Sequence, residues 1–157
     1  MTIKYQFSAD AKTVYEKLTS AEFLKSRCES LGEIKVTCKV SEKDGVKTVT
    51  LDRTIRRDLP AILAKMFNPE NRTVMTEKWQ GKEGAYEGNY EIDVIGQPVK
   101  LFANFSLKDN AKGSLYTIDH SCKARVPLVA KHVERFVVGQ IGDGFNKEMD
   151  VLEKTLK

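Results

Sequence analysis

The chain has 157 residues, 41% of them hydrophobic and 31% charged, with a formal net charge of +4. These values predict one globular domain over residues 1–157 with one core, and they argue against a disordered or fibrous chain. No run free of Asp, Glu, Lys and Arg exceeds seven residues, so no helix can span a membrane, and MTIKYQFSAD lacks the apolar run of a signal peptide.

The opening segment alternates Ile3, Tyr5 and Phe7 with polar neighbours, which predicts a half-buried strand. A helix is expected from about Asp10 to Leu18, with Ala11, Val14, Tyr15 and Leu18 on one side. Thr19-Ser20-Ala21-Glu22 has the pattern of a capping box, a hydroxyl followed three residues later by a carboxylate. It opens a second short helix to about Leu31, with Phe23, Leu24, Cys28 and Leu31 inward and Gly32 as the stop.

Strands follow. Ile34, Val36, Cys38 and Val40 share a face, Asp44-Gly45 marks a tight hairpin, and the return puts Val49, Leu51, Arg53 and Ile55 on one side. Asp58 is placed to cap a short helix, LPAILAKMF, with Pro60 in its first turn and Asn68-Pro69 after it. Thr73, Met75, Glu77 and Trp79 share the face of the next strand. Tyr86, Gly88, Tyr90, Ile92 and Val94 alternate with polar residues over the following one. Beyond Gly96-Gln97-Pro98, Val99, Leu101, Ala103, Phe105 and Leu107 form another inward row, and Tyr116, Ile118, His120, Cys122, Ala124 and Val126 form the last.

From Val126 to Lys157 the pattern becomes helical. Val129, Val133, Phe136, Val137, Gln140, Ile141, Gly144, Phe145, Met149, Leu152 and Leu156 fall on one stripe of a long amphipathic helix. Its length needs a large surface to lie against, and the strands between residues 33 and 126 supply one. The fold class is therefore α+β. A curved antiparallel sheet of about seven strands wraps a long C-terminal helix, with two short helices after the first strand and a short inserted helix near residues 59–67. Such a sheet and helix leave room for a cavity between them.

This order resembles the helix-grip fold of the START-like (SRPBCC) superfamily, which includes polyketide cyclases, plant allergen-like proteins and lipid-transfer domains. More narrowly, the chain is similar to a bacterial domain-of-unknown-function family, number 2505. The carrying segments are YQFSADAKTVYEKLTSAEFLKSRCESLG, VMTEKW (Val74 to Trp79) and RVPLVAKHVERFVVGQI (Arg125 to Ile141). The resemblance covers essentially the whole chain. It implies a deep apolar pocket between sheet and helix but no reaction, because the superfamily holds binders, enzymes and co-chaperone-like modules with no shared catalytic set. The helix after Asp58 departs from the simplest plan, as a cap on the pocket mouth or a cover for a sheet edge.

Candidate site residues come from the inward faces. His120 is able to donate, accept or titrate near neutral pH, as a polar anchor or general base. The alternative is a core histidine bonded to a tyrosine or to backbone. Glu77, between Met75 and Trp79, is expected to be protonated or paired, since burial disfavours its charge. Arg53 is its candidate partner, and Glu77, Arg53 and His120 would then form one polar cluster. A bulge that flips either strand, or a purely structural ion pair, would remove that role. Tyr90, Phe105, Tyr116 and Phe136 join Trp79 as aromatic lining or core, and Gln140 faces the sheet from the helix. Gly139, Gly142 and Gly144 lie in that helix at unfavourable positions, which points to close packing, a kink or space for a ligand.

Cys28, Cys38 and Cys122 are odd in number with no CxxC pair, which argues against a disulfide framework and a zinc site. Arg53, Arg56 and Arg57 are the only tight basic cluster, too little for nucleic-acid binding. Nucleophile elbows, P-loops and metalloprotease motifs are absent. The reading is a cytoplasmic monomer or weak homodimer without cofactor or metal, binding an apolar or amphipathic small molecule (lipid, polyketide-like or isoprenoid). A cyclase, dehydratase or hydrolase using His120 or Glu77 is the second reading. The third is a protein-interaction module that exposes Ile62, Leu63, Met66 and Phe67.

Overall fold

The computed structural model describes residues 1–56, 58–64 and 68–156, with side chains at all of these except Ile62 and Leu63. The period-two segments become seven strands: β1 (Thr2–Phe7), β2 (Ile34–Lys43), β3 (Val46–Arg56), β4 (Glu70–Lys82), β5 (Ala85–Val94), β6 (Val99–Asn110) and β7 (Gly113–Ala124). They pair antiparallel in the order β1-β7-β6-β5-β4-β3-β2. Helices α1 (Ala11–Leu18) and α2 (Ala21–Ser30) follow β1, α3 (Ala61–Ala64) lies between β3 and β4, and α4 (Ala130–Thr155) follows β7. This is an α+β fold of the helix-grip type, with α4 lying in the concave face of the sheet.

The hairpin at Asp44-Gly45 forms as the dipeptide requires: both residues have positive φ, 54° and 78°. Strand alternation fails in one place. Ile34 is exposed, Lys35 has φ 54°, and the β2–β3 register shifts between Ile34 and Thr37. The extra residue turns Ile34 out of the inward row expected for it.

The capping pattern after α1 is offset by one residue. Ser20, in extended conformation, is the N-cap of α2, and its hydroxyl accepts from the Phe23 amide at 3.2 Å. Thr19 already ends α1, its hydroxyl donating to the Tyr15 carbonyl at 2.8 Å, so it is not available to start the next helix.

The long helix starts later than the periodicity indicates. Val126 is not helical, and Leu128 adopts φ 68° with its side chain fully exposed. The Val129 amide closes a turn onto the Pro127 carbonyl at 2.8 Å. A left-handed Leu128 interrupts any helix begun at Pro127, so α4 runs 26 residues from Ala130, about 39 Å. In the inserted segment the Ala64 amide bonds to the Pro60 carbonyl, which places Pro60 in the first turn. The expectation for residues 65–67, and the apolar face made with Ile62 and Leu63, lie outside the described residues. No described helix is long and apolar enough to cross a membrane.

The core is unevenly filled along the strands. At the end of the sheet that carries the β4–β5 and β6–β7 turns, Phe7, Tyr86, Trp79, Phe105, Leu107 and Tyr116 pack against α1 and the last turns of α4. At the other end a smaller cluster of Val99, Ala124 and Val133, with Leu59, Val129 and Phe136 against it, closes around the start of α4. Between the two lies a space.

Candidate ligand cavity and its polar row

Strand register arranges the inward side chains in rows that cross the sheet. One row runs Trp79, Gly88, Phe105, Ile118 over β4 to β7. Its small member is Gly88, where a Cβ would run into the Lys78 carbonyl oxygen and come within 2.7 Å of the Phe105 ring. The missing side chain lets the Trp79 and Phe105 rings meet above it with centroids 4.4 Å apart.

The next row outward repeats the device with polar members: Glu77, Tyr90, Ala103, His120. Ala103 leaves room for the Tyr90 hydroxyl to cross above it and meet His120 Nδ1 at 2.6 Å. Burial holds the Tyr90 phenol well above its ordinary pKa and pushes His120 down to about 4, so both are neutral near pH 7. A phenol is the better donor of the two. With Tyr90 donating to Nδ1, the proton of the ring sits on Nε2, and Nε2 has no hydrogen-bond partner among the described residues. The Phe145 ring stands edge-on to the imidazole at 5.8 Å.

Glu77 is also buried. The Trp79 indole N–H, two residues on along the same face, donates to its Oε1 at 2.6 Å. Burial raises the carboxyl to about 7; the indole and the Arg27 charge oppose the shift without cancelling it.

Beside this row, at the corner where α2, β3 and α4 meet, sits an ion-pair cluster. Arg53 Nη1 donates to Glu33 Oε1 at 2.9 Å, to Glu148 Oε1 at 3.0 Å and to Cys28 Sγ at 3.3 Å. Arg27 Nη2 lies 3.3 Å from Glu148 Oε2, so Glu148 bridges both guanidiniums. Burial alone would lower the Arg53 pKa, but Glu148 and Glu33 more than reverse it, and Arg53 stays charged. Burial also pushes the Cys28 thiol up to about 11, which leaves it a poor nucleophile.

These groups border a cavity of about 190 Å³. Its floor is Met75, Ile92, Leu101 and Ile118 with the Glu77–Tyr90–His120 row; its roof is Val133, Phe136, Val137, Gln140, Ile141, Gly144 and Phe145 of α4. Leu59, Asn68, Asn71, Gln97 and Val99 border it toward the end of the sheet where α4 begins, and Arg27, Arg53 and Glu148 border it toward α2.

Of the residues singled out from sequence, Arg53, Met75, Glu77, Tyr90, Tyr116, His120, Phe136 and Gln140 line this cavity. Trp79 and Phe105 are not among its lining; they pack on each other in the filled end. Arg53, Glu77 and His120 border one space but do not form one cluster. Arg53 turns to Glu33 and Glu148, Glu77 to Trp79, and His120 to Tyr90. Sequence reasoning missed Arg27, Glu33 and Glu148, and it placed Ala103 inward without its part as the small residue between Tyr90 and His120. Arg27 lies three residues after Leu24 and beside Cys28, and Glu148 three after Phe145 and beside Met149, both on buried helical stripes. Their position was legible, but their charge reads as solvent-facing. Among the described residues no three His, Cys, Asp or Glu side chains are placed to hold a metal ion.

A curved sheet closed over a long helix, with a largely apolar space and a short polar row on its floor, defines a helix-grip container. The chain belongs to the family described as Protein of unknown function (DUF2505), whose model matches residues 2–156. No protein of curated function matches the chain. Similar solved structures are bacterial. TTHA0849 from Thermus thermophilus shares 11% identity at a TM-score of 0.62, covering 98% of this chain and 94% of that one. An uncharacterised protein from Rhizobium leguminosarum shares 10% at 0.57, covering 98% and 90%, and CV1439 from Chromobacterium violaceum shares 14% at 0.56, covering 99% and 94%. At these identities the likeness is one of fold.

Proposed function

We propose that the chain, as a single cytoplasmic domain of the START-like type, binds an apolar or amphipathic small molecule between its sheet and α4. The observation that carries this reading is the 190 Å³ cavity, walled mainly by aliphatic and aromatic side chains and floored by a few polar groups. An apolar cavity of roughly 150 Å³ takes up a benzene-sized guest. The space here therefore suits a single ring, a short isoprenoid, or one end of a longer lipid or polyketide-like chain. Burying such a guest contributes about 25 cal/mol per Å² of apolar surface.

An acid–base enzyme is the second reading, favoured by Glu77, a carboxyl raised to about 7 in the same cavity. Glu77 and His120 stand three strands apart, about 14 Å between Cα atoms at ordinary strand spacing. Glu77 is turned to Trp79 and His120 to Tyr90, so the structure supplies no acid–base pair in contact; binding is the stronger reading, and a reaction would use one of them alone.

Titrating the protein with toluene while following its methyl NMR signals tests the binding reading. Saturable shifts confined to Met75, Ile92, Leu101, Val137 and Ile141 are expected, and Val137→Phe, whose larger ring fills the space, should abolish them. Absence of saturable shifts in the folded wild-type protein overturns the reading. Native against denatured mass spectrometry of the purified protein would identify the class of any natural guest it carries.

A further inference from the structure

We infer that the ligand of this cavity is an uncharged molecule that presents a hydrogen-bond acceptor, of the carbonyl class, to His120 Nε2 while its apolar body lies under α4. The inference rests on the binding reading above and adds the chemistry of the head group.

Three observations carry it. His120 is only 2% exposed, lines the cavity, and has an Nε2 without a partner among the described residues. A buried donor left unmade is costly, so a guest that accepts from it is favoured over one that cannot. Tyr90 fixes the direction of that donor. Its hydroxyl holds Nδ1 at 2.6 Å across Ala103, which leaves Nε2 as the N–H side of a neutral ring. Phe145 stands edge-on beside the same ring and keeps its plane in place.

The charges around the cavity, taken together, favour a neutral head over an anionic one. Two guanidiniums, Arg27 and Arg53, face three carboxyls, Glu33, Glu77 and Glu148, and the salt bridges already set Arg53 against Glu33 and both arginines against Glu148. The Nε of each guanidinium has no hydrogen-bond partner among the described residues, but each arginine already faces a carboxylate and Glu77 stands on the same border, so a carboxylate guest would meet no net positive charge there. A neutral carbonyl needs none.

Three one-ring probes separate these contributions: ethylbenzene, acetophenone and benzoate, compared by calorimetric titration on wild type and His120→Leu. Acetophenone is expected to bind about tenfold tighter than ethylbenzene to wild type, and benzoate at least tenfold weaker than acetophenone. In His120→Leu the preference for acetophenone should vanish while ethylbenzene affinity stays within about twofold. Equal affinities of acetophenone and ethylbenzene for wild type would overturn the inference and leave cavity binding intact. Benzoate binding tightest would overturn the neutral class, and a preference that survives His120→Leu would place the donor elsewhere. Should none of the three bind, the binding reading falls together with this one. Where His120→Leu fails to fold, the ¹⁵N resonance of wild-type His120 Nε2 decides: it must move on adding acetophenone and stay on adding ethylbenzene.

Discussion

The Tyr90 hydroxyl crosses a neighbouring strand to bond His120 Nδ1 at 2.6 Å, because the residue between them in the row is Ala103. The same arrangement one row away, with Gly88 between Trp79 and Phe105, packs two rings where this one joins two polar groups. A small residue between two large ones thus recurs, once to fill the interior and once to set a donor in it.

Removing the phenol should expose the strength of this bond. Tyr90→Phe leaves Nδ1 without its partner in a buried place and is expected to cost about 1–3 kcal/mol in urea unfolding. A double-mutant cycle with His120→Leu should return a coupling of about 1 kcal/mol. Additive losses would mean that the contact contributes nothing.

Glu77 and His120 should make opposite contributions to stability against pH. The folded state raises Glu77 from 4.5 to about 7, so it binds the proton more tightly than the unfolded chain does, and stability falls as pH rises from about 4.5 to 7. It lowers His120 from 6.5 to about 4, so the unfolded chain takes up the proton first, and stability falls as pH drops from 6.5 to 4. Each shift is worth on the order of 3 kcal/mol. In wild type the two slopes oppose each other between about pH 4.5 and 6.5. Glu77→Gln should therefore gain stability with rising pH across that window, and His120→Leu should lose it. Parallel profiles for the two variants in urea titrations would contradict the assignment.

Glu148 holds two arginines that belong to different elements, Arg27 of α2 and Arg53 of β3. Glu148→Ala removes the carboxylate that Arg27 faces and leaves Arg53 with Glu33 alone in a buried corner, and it should cost about 3–5 kcal/mol. Replacing the pair together, as Arg27→Met with Glu148→Met, should cost less than Glu148→Ala alone. Thermal and urea unfolding of the three proteins would check this.

Two glycines should respond oppositely to alanine. Gly88→Ala drives a methyl into the Lys78 carbonyl and the Phe105 ring, and a loss of about 3 kcal/mol or more is expected. Gly139 lies in α4 with nothing within 4 Å of a built Cβ, so Gly139→Ala should gain about 0.5–1 kcal/mol. Equilibrium unfolding of both variants would check this, and a loss at Gly139→Ala would mean that this helix glycine serves close packing after all.

Local signals were sufficient for most of the architecture. Period two along Thr73 to Trp79, Tyr86 to Val94 and Tyr116 to Ala124 placed whole inward rows, and helical spacing placed the sheet-facing stripe of α4 from Val133 to Leu156, because burial on one face dictates those repeats. Backbone departures were not legible. The bulge at Lys35 and the left-handed Leu128 occur at residues that carry no turn signature; the first turned Ile34 out of its row and the second moved the start of α4 to Ala130.

The side-chain partners were decided only by the tertiary structure. Sequence put Arg53, Glu77 and His120 inward but gave no register between strands, and register determines that His120 meets Tyr90 and that Glu77 stands three strands from it. Nor does a periodic pattern distinguish a charge turned to water from one paired inside, so Arg27 and Glu148 became visible as a buried bridge only when α2, β3 and α4 met. What the chain alone determined is which faces are apolar, a matter of each residue and its near neighbours. Where the interior is filled and where it is left open depends on volumes contributed by residues far apart in the chain, and only the closed fold sums them.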